Sequence, residues 1–373
     1  MMWQRARLSD YIGDYVVYRN LEPPDARLQG LRKIWPRLGF DHYFVPRKTA
    51  PEYAAALADL LIQAQRARGV QAPLRQVLFI GDTAMNDGTA ARLLGRYWAM
   101  RAFIGTERPQ QPPHVEVDGD LMLANRWGAL GEFIEWAKKN GMAFDESTAV
   151  IIDLDKTFMG ARGRNDRAID AARISALERT LQEALGSQAG KPSFLTIYDA
   201  LNQPAYHAFT KDNQDYLAYV CLMVAGGIYD AESFWRDILS GALASFEEFV
   251  ARCHAKRPEM SPGLAQAHDQ VCQGLAAEDP TPFKTFRRAE YSETVARMDF
   301  FPDEAPLSEV LAREIVITAE VASLATWMAA QGALLFGSSD KPDEASFPTE
   351  ELAQEGRQPL HRTPMKVYGQ AVV

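Results

Sequence analysis

Apolar residues follow two different rhythms along this chain. Between Asp41 and Asp153, short apolar runs alternate with segments whose apolar positions recur every three or four residues. His42–Val45, Val77–Ile80, Ala102–Gly105 and Ala149–Ile152 are the short runs, and each predicts a strand. Pro51–Arg66 predicts a helix, with proline and glutamate suited to its first turn. Gly88–Trp98 reads the same way, as does the amphipathic stretch Leu121–Asn140, which closes on Lys138-Lys139-Asn140-Gly141. Strands alternating with helices predict an α/β fold: a Rossmann-like parallel sheet with helices on both faces.

From about Ile169 to Arg313 the texture is mostly helical, as in Ile169–Leu185 and Ala231–His254, with one strand-like piece, Ser193–Tyr198. The longest apolar run, Tyr216–Tyr229, is bounded by Asp215 and Asp230; it is too short to span a bilayer and predicts a buried helix. The β/α rhythm returns with Glu314–Thr318, a helix through Gln331, and Ala333–Phe336. The expected organisation is an α/β core of residues 41–168 and 312–350, interrupted by a mostly helical block, 169–311. Residues 1–40, broken by Pro23, Pro24 and Pro36, read as an N-terminal extension, and 351–373 as a polar tail.

Composition narrows the function classes. A formal net charge of −9 argues against nucleic acid or an anionic membrane as partner, while leaving room for an anionic small molecule bound through a divalent cation. Cys221, Cys253 and Cys272 are far apart and form no C-x-x-C pair, so neither a disulfide framework nor a zinc site is indicated. The first ten residues lack the apolar stretch of a signal peptide, and the expected location is the cytoplasm.

Chemistry concentrates at two predicted strand ends. Val150-Ile-Ile-Asp153-Leu-Asp155-Lys156-Thr157 brings two carboxylates, two residues apart, to the carboxyl edge of a sheet, where open α/β folds bind ligands. Such a pair repels unless a cation or shared proton relieves it, and the two groups can take different roles, one as nucleophile and one as proton carrier. Val77-Leu-Phe-Ile-Gly81-Asp82, followed by Asn86-Asp87-Gly88, is a second acidic strand end; Asp82 and Asp87 suit oxygen ligation of a hard cation such as magnesium.

Together these runs resemble the haloacid-dehalogenase-like superfamily of phosphohydrolases. The resemblance implies that Asp153 is the nucleophile of a D-x-D-x-T motif, Asp155 the general acid/base, and Asp82 and Asp87 the acidic motif. It implies Mg2+ as cofactor, held by Asp153, by the residue-155 position and by Asp82 and Asp87, and an aspartyl-phosphate intermediate formed on a small phosphorylated substrate. Lys156 stands where glycine is commoner. The family also uses a strand-end hydroxyl and a lysine on the transferred phosphoryl group. Thr318, ending Glu314–Thr318, and Lys341, in Ser339-Asp340-Lys341-Pro342, match that pair. Lys48, in Arg47-Lys48-Thr49-Ala50-Pro51-Glu52, is a rival for Lys341, and Thr196 a rival for Thr318. Because the acidic motif precedes the nucleophile, the motif order is permuted relative to the family, and the helical block becomes an inserted cap. Thr157, Arg162 and Arg164, in or just after the nucleophile motif, are candidate substrate contacts; Tyr198, Asp199 and His207 are weaker ones.

Two other readings use the same residues. Asp153-Leu154-Asp155 can be the D-x-D of a metal-dependent nucleotide-sugar glycosyltransferase, which leaves Asp82 without a role. Alternatively the core is a non-catalytic binding module.

Overall fold

A computed structural model describes residues 3–186 and 191–373. The chain divides into two compact units, Met1–Ala171 with Thr294–Val373, and Ala172–Glu293. Among the described residues, unit 1 holds ten strands: β1 (Arg5–Ala6), β2 (Val16–Val17), β3 (Gln76–Gly81), β4 (Ala99–Gly105), β5 (Val115–Asp118), β6 (Leu121–Ala124), β7 (Thr148–Asp153), β8 (Ile317–Thr318), β9 (Leu334–Ser338) and β10 (Met365–Tyr368). Seven form one sheet in the order β2-β9-β7-β3-β4-β6-β5, parallel throughout except for the β5–β6 hairpin.

Every residue of β3, β7 and β9 is buried, which is why these strands read as unbroken apolar runs: helices cover both faces of a parallel sheet. Alternation along the strands sorts the side chains. Val77, Phe79, Ile151 and Phe336 pack on one face with Leu57, Leu60 and Leu61 of the helix Pro51–Ala67. Phe103 points to the other face, where its ring lies 5.7 Å from Phe133 of the helix Leu130–Lys139. The predicted α/β architecture with a mostly parallel sheet is therefore what the chain adopts.

Several local expectations differ. His42–Val45 forms no strand. Leu121–Asn140 is not one helix: Leu121–Ala124 pairs as β6, and only Leu130–Lys139 is α-helical. Glu314–Thr318 shrinks to the two residues of β8, which sits in a separate three-stranded sheet, β1-β10-β8. Residues 1–40 are no separate extension, since β2 is an edge strand of the main sheet, hydrogen-bonded to β9. Nor is the C-terminal segment a loose tail, because β10 lies between β1 and β8. Residues 294–311 belong to unit 1 rather than to the helical block.

Unit 2 is helical. Gln214–Ala225 is the buried central helix that the apolar run predicts, with Asp215 through Val224 all buried. Ser193–Tyr198 lies in the helix Lys191–Leu201, not in a strand. Its buried residues Phe194, Ile197, Tyr198 and Leu201 fall at helical spacing, a period that a six-residue window conceals. The stretch Ala231–His254 is two helices, Ala231–Leu239 and Phe246–Ala255, because Gly241 takes a left-handed φ of 75° and Ser245 caps the second helix. No helix among the described residues is long and apolar enough to cross a membrane.

Charged pairs fasten the two ends of the chain to unit 1. Lys366 of β10 places its ammonium 2.9 Å from both carboxylate oxygens of Glu314, and both side chains are fully buried. His361, also buried, lies between the Tyr18 hydroxyl and Asp14, each at 3.2 Å, and Arg362 pairs with Asp14 at 2.5 Å. Glu314→Ala strands the Lys366 charge in the interior, so urea denaturation should show a loss of about 3–5 kcal/mol, whereas Glu314→Leu combined with Lys366→Met should cost far less.

Burial holds His361 below the usual imidazole value, with Asp14 opposing the shift and Arg362 reinforcing it. The unfolded chain therefore takes up that proton more readily than the folded one. This contribution to stability is complete above about pH 6.5 and is lost as pH falls below it. Urea midpoints measured between about pH 7.5 and about pH 5.5 should fall, and His361→Gln should flatten that slope.

Candidate active site

The carboxyl ends of three adjacent parallel strands converge on one cluster. β7 ends at Asp153, β3 at Gly81 just before Asp82, and β9 at Ser338. After Asp82 the chain makes one wide π-helical turn, Ala84–Gly88, in which the amides of Asp87 and Gly88 both donate to the Thr83 carbonyl, at 3.0 and 3.1 Å. That turn folds Asp87 back over the strand end. Its Oδ2 accepts from the amides of Asp82 (3.1 Å) and Thr83 (3.0 Å) and from the Thr83 hydroxyl (3.0 Å). Gly81 makes room for it: a Cβ there would lie 2.5 Å from the Asp87 Cβ.

Lys48 enters from the loop before the helix Pro51–Ala67. Its ammonium donates to Asp153 Oδ1 at 2.5 Å and to Asp87 Oδ1 at 3.0 Å, and all three side chains are buried. Lys341, from the loop after β9, reaches Asp155 Oδ2 at 3.4 Å. The two lysines are thus placed differently: Lys48 meets Asp153 and Asp87, and Lys341 meets Asp155. The other oxygen of Asp155 is buried without a hydrogen-bond partner, as is the Thr157 hydroxyl.

The charges are unbalanced. Asp82, Asp87 and Asp153 each offer an oxygen within 4.8 Å of the others. Burial, then repulsion from Asp87, pushes Asp82 up to about 7, although Arg162 opposes this. Burial likewise drives Asp153 well above the carboxylate range; Lys48 pulls it down while Asp87 and Asp82 push it up. For Asp87 burial also works upward, but Lys48 and the hydrogen bonds from Thr83 and Asp82 prevail and hold it low. Burial lowers Lys48, yet the charges of Asp153 and Asp87 outweigh that and keep it firmly protonated.

Three carboxylates against the buried Lys48 ammonium and the partly exposed Arg162 guanidinium still leave the site short of positive charge. Oxygen ligands on opposite sides of an octahedral magnesium stand about 4.2 Å apart, so the donor set and its spread fit a hard divalent cation held by Asp82, Asp87 and Asp153. Asp155 stands two residues from Asp153, with its unpartnered oxygen still to be satisfied.

Other expected site residues are placed differently. Thr318 lies in the small sheet, and its hydroxyl donates to the Thr157 carbonyl at 2.6 Å; it holds the loop that follows Asp155 rather than joining the carboxylates. Thr196 lies on a helix of unit 2, so neither threonine candidate stands at the strand end beside β7. Ser338 and Ser339 do, at the end of β9, and the reading of the sequence passed them over. Ser338 bonds the Tyr53 hydroxyl at 2.5 Å, and its carbonyl accepts from the Leu154 amide. The signal was present, because Gly337-Ser338-Ser339 directly follows a predicted apolar strand.

Arg162 pairs through Nε with Asp82 and stays partly exposed. Arg164 is committed to Glu107 and Glu320 at 2.7 and 2.9 Å, which makes it a brace of the loop rather than a free anion contact. Lys156 takes a left-handed φ of 65°, the conformation glycine adopts more cheaply, and its ammonium pairs with Asp170 at 2.8 Å. In unit 2, Tyr198 bonds Gln214 and His207 lies 3.7 Å from Asp212; Asp199 is on the same helix as Tyr198.

Gly81→Ala tests the cradle directly. The added methyl must displace Asp87, so the expected cost is about 1–3 kcal/mol of stability. Magnesium should raise the melting temperature of the wild type, and that rise should be absent in the variant. In comparisons with known proteins, no family model matches the chain, and no curated protein or solved structure shows a significant similarity to it.

Proposed function

We propose that this protein is a magnesium-dependent phosphohydrolase that cleaves a small phosphorylated metabolite through an aspartyl-phosphate on Asp153. The observation that carries the reading is the Lys48 ammonium lodged between Asp153 and Asp87, beside Asp82, at the carboxyl edge of a parallel sheet. A structural ion pair needs one carboxylate for each lysine. Here the excess carboxylates converge where a ligand can meet them.

Each residue has work to do in such a reaction. Asp153 attacks phosphorus, its oxygen forming the new P–O bond as the bond to the leaving alcohol breaks. Asp155 hands that alcohol its proton, and then takes a proton from the water that attacks the aspartyl-phosphate, releasing inorganic phosphate and restoring Asp153. Lys48 moves from a carboxylate to a phosphoryl oxygen as negative charge spreads there. The hydroxyls of Ser338 and Ser339 stand on the adjacent strand end, in the place a phosphoryl-binding hydroxyl requires. Lys341 orients Asp155 at 3.4 Å. A magnesium ion held by Asp82, Asp87 and Asp153 would supply the positive charge that offsets the approach of an anionic phosphate to an anionic nucleophile.

These roles coincide with those implied by the resemblance to the haloacid-dehalogenase-like superfamily, with two changes: Ser338 or Ser339 replaces Thr318, and Lys48 rather than Lys341 meets the phosphoryl group. In this reading unit 2, inserted after the nucleophile motif, takes the part of the family's cap. The cytoplasm remains the proposed location.

Phosphate release from a panel of phosphorylated metabolites, with magnesium and with chelator, tests the proposal. Wild-type turnover should need magnesium, and folded Asp153→Asn should lose at least roughly a thousandfold of it. Lys48→Met should lose about 10²–10³-fold in kcat. Full turnover by Asp153→Asn would end the nucleophile assignment.

A further inference from the structure

Unit 2 carries a second cluster of ligating side chains, chemically unlike the first. His268 and Cys272 stand one turn apart on the helix Pro262–Ala276, and His254 faces them from the helix Phe246–Ala255. His268 Nε2 lies 3.0 Å from His254 Nδ1 and 3.4 Å from Cys272 Sγ. All three donor atoms fall within 4.8 Å of one another. We propose that His254, His268 and Cys272 form a metal site for a borderline-soft divalent cation, zinc above all, separate from the carboxylate cluster of unit 1.

Three observations support this. The spacing is close to that of co-ligands: tetrahedral zinc, with bonds of about 2.0–2.1 Å to nitrogen and about 2.3 Å to sulfur, sets its donors about 3.4–3.6 Å apart, against 3.0 and 3.4 Å here. The donor types are two imidazoles and one thiol, which select zinc over magnesium. Finally, His268 has an orienting partner. The Tyr219 hydroxyl lies 2.6 Å from its Nδ1. With Tyr219 accepting the Nδ1 proton, Nε2 keeps its lone pair, on the side where His254 Nδ1 and Cys272 Sγ stand. A ligating histidine is held in just this way. Asp269, the next carboxylate along the helix, is held by Arg257 at 2.5 Å.

Binding releases one proton, from the Cys272 thiol, as the sulfur–zinc bond forms; both histidines ligate as neutral rings. His254 is exposed, so a fourth position opens to solvent and water can occupy it. Residue spacing carries no zinc signature, because the ligands come from two helices, with no C-x-x-C pair and only one close spacing, His268 to Cys272.

The test uses the full-length chain, reduced and stripped of metal, with excess magnesium to fill the carboxylate site. Zinc is titrated against a chromogenic chelator, and cobalt is added separately to look for a thiolate-to-cobalt absorption band. The expected result is one zinc per chain, with affinity falling about 100-fold or more in Cys272→Ala and in His254→Ala, at least the loss caused by removing a group that only supports a ligand. The cobalt band should vanish in Cys272→Ser. Asp82→Asn and Asp153→Asn should bind zinc like wild type. His254 and Cys272 are chosen because His268 is fully buried, and circular dichroism confirms that each variant is folded. The proposal is overturned if wild type takes up no zinc, if folded Cys272→Ala or His254→Ala binds it as tightly as wild type, or if zinc is lost with the aspartate variants instead.

Discussion

Like charges crowded out of water are the constraint on which unit 1 turns. Three carboxylates meet at one end of a sheet whose central strands are wholly buried, and the buried Lys48 with the partly exposed Arg162 offsets only part of the repulsion. Ionised carboxylates do not stay in such a place unless something makes good the deficit. The elevated proton affinities of Asp82 and Asp153 express that imbalance, and so does the buried oxygen of Asp155 that finds no donor. An unmet electrostatic need of this kind is what a ligand or a catalytic cation satisfies. Structural ion pairs elsewhere in the chain, such as Glu314 with Lys366 or Asp215 and Glu290 with Arg287 and Arg173, carry no such excess.

The sheet is built to deliver the cluster. Parallel pairing of β3, β7 and β9 places their carboxyl ends side by side, so residues distant in sequence become neighbours by register alone. Asp153 stands opposite Ser338, and the Leu154 amide donates to the Ser338 carbonyl. The missing side chain of Gly81 lets Asp87 fold back over the strand end, while the π turn supplies the extra residue this requires. Thr318 and the segment before it then hold the loop that follows Asp155, through the carbonyls of Thr157 and Phe158.

The polar side chains of unit 2 serve two different ends. Asp215, Arg287 and Glu290 form a buried, mutually satisfied network at the central helix. His254, His268 and Cys272 instead bring their ligating atoms within 4.8 Å of one another, with the Tyr219 hydroxyl 2.6 Å from Nδ1 of the middle ring. Both arrangements cost desolvation. Only the second leaves donors that a cation would complete.

Much of this was legible from residue order alone, where local pattern suffices. Continuous apolar runs ending in Asp153 and before Asp82 marked buried parallel strands and the acidic ends they carry, because burial on both faces erases alternation. The helix Pro51–Ala67 followed from period and first-turn chemistry. Short windows misled where two periods fit equally well: Ser193–Tyr198 proved helical, and Leu121–Ala124 turned from helix to strand once β4 and β5 were available to pair with it. What local pattern could not decide was partnership. Lys48 and Lys341 were equivalent rivals until the fold assigned one to Asp153 and the other to Asp155. Thr318 stands away from the strand end that Ser338 and Ser339 occupy, because strand order, not sequence proximity, determines which hydroxyl lies beside Asp153. The two histidines and the cysteine of unit 2 were scattered residues until two helices brought them together. Periodicity and strand-end chemistry are properties of neighbouring residues and can be read from them. The choice among equivalent side chains is made by contacts between segments far apart in the chain, and those exist only in the folded protein.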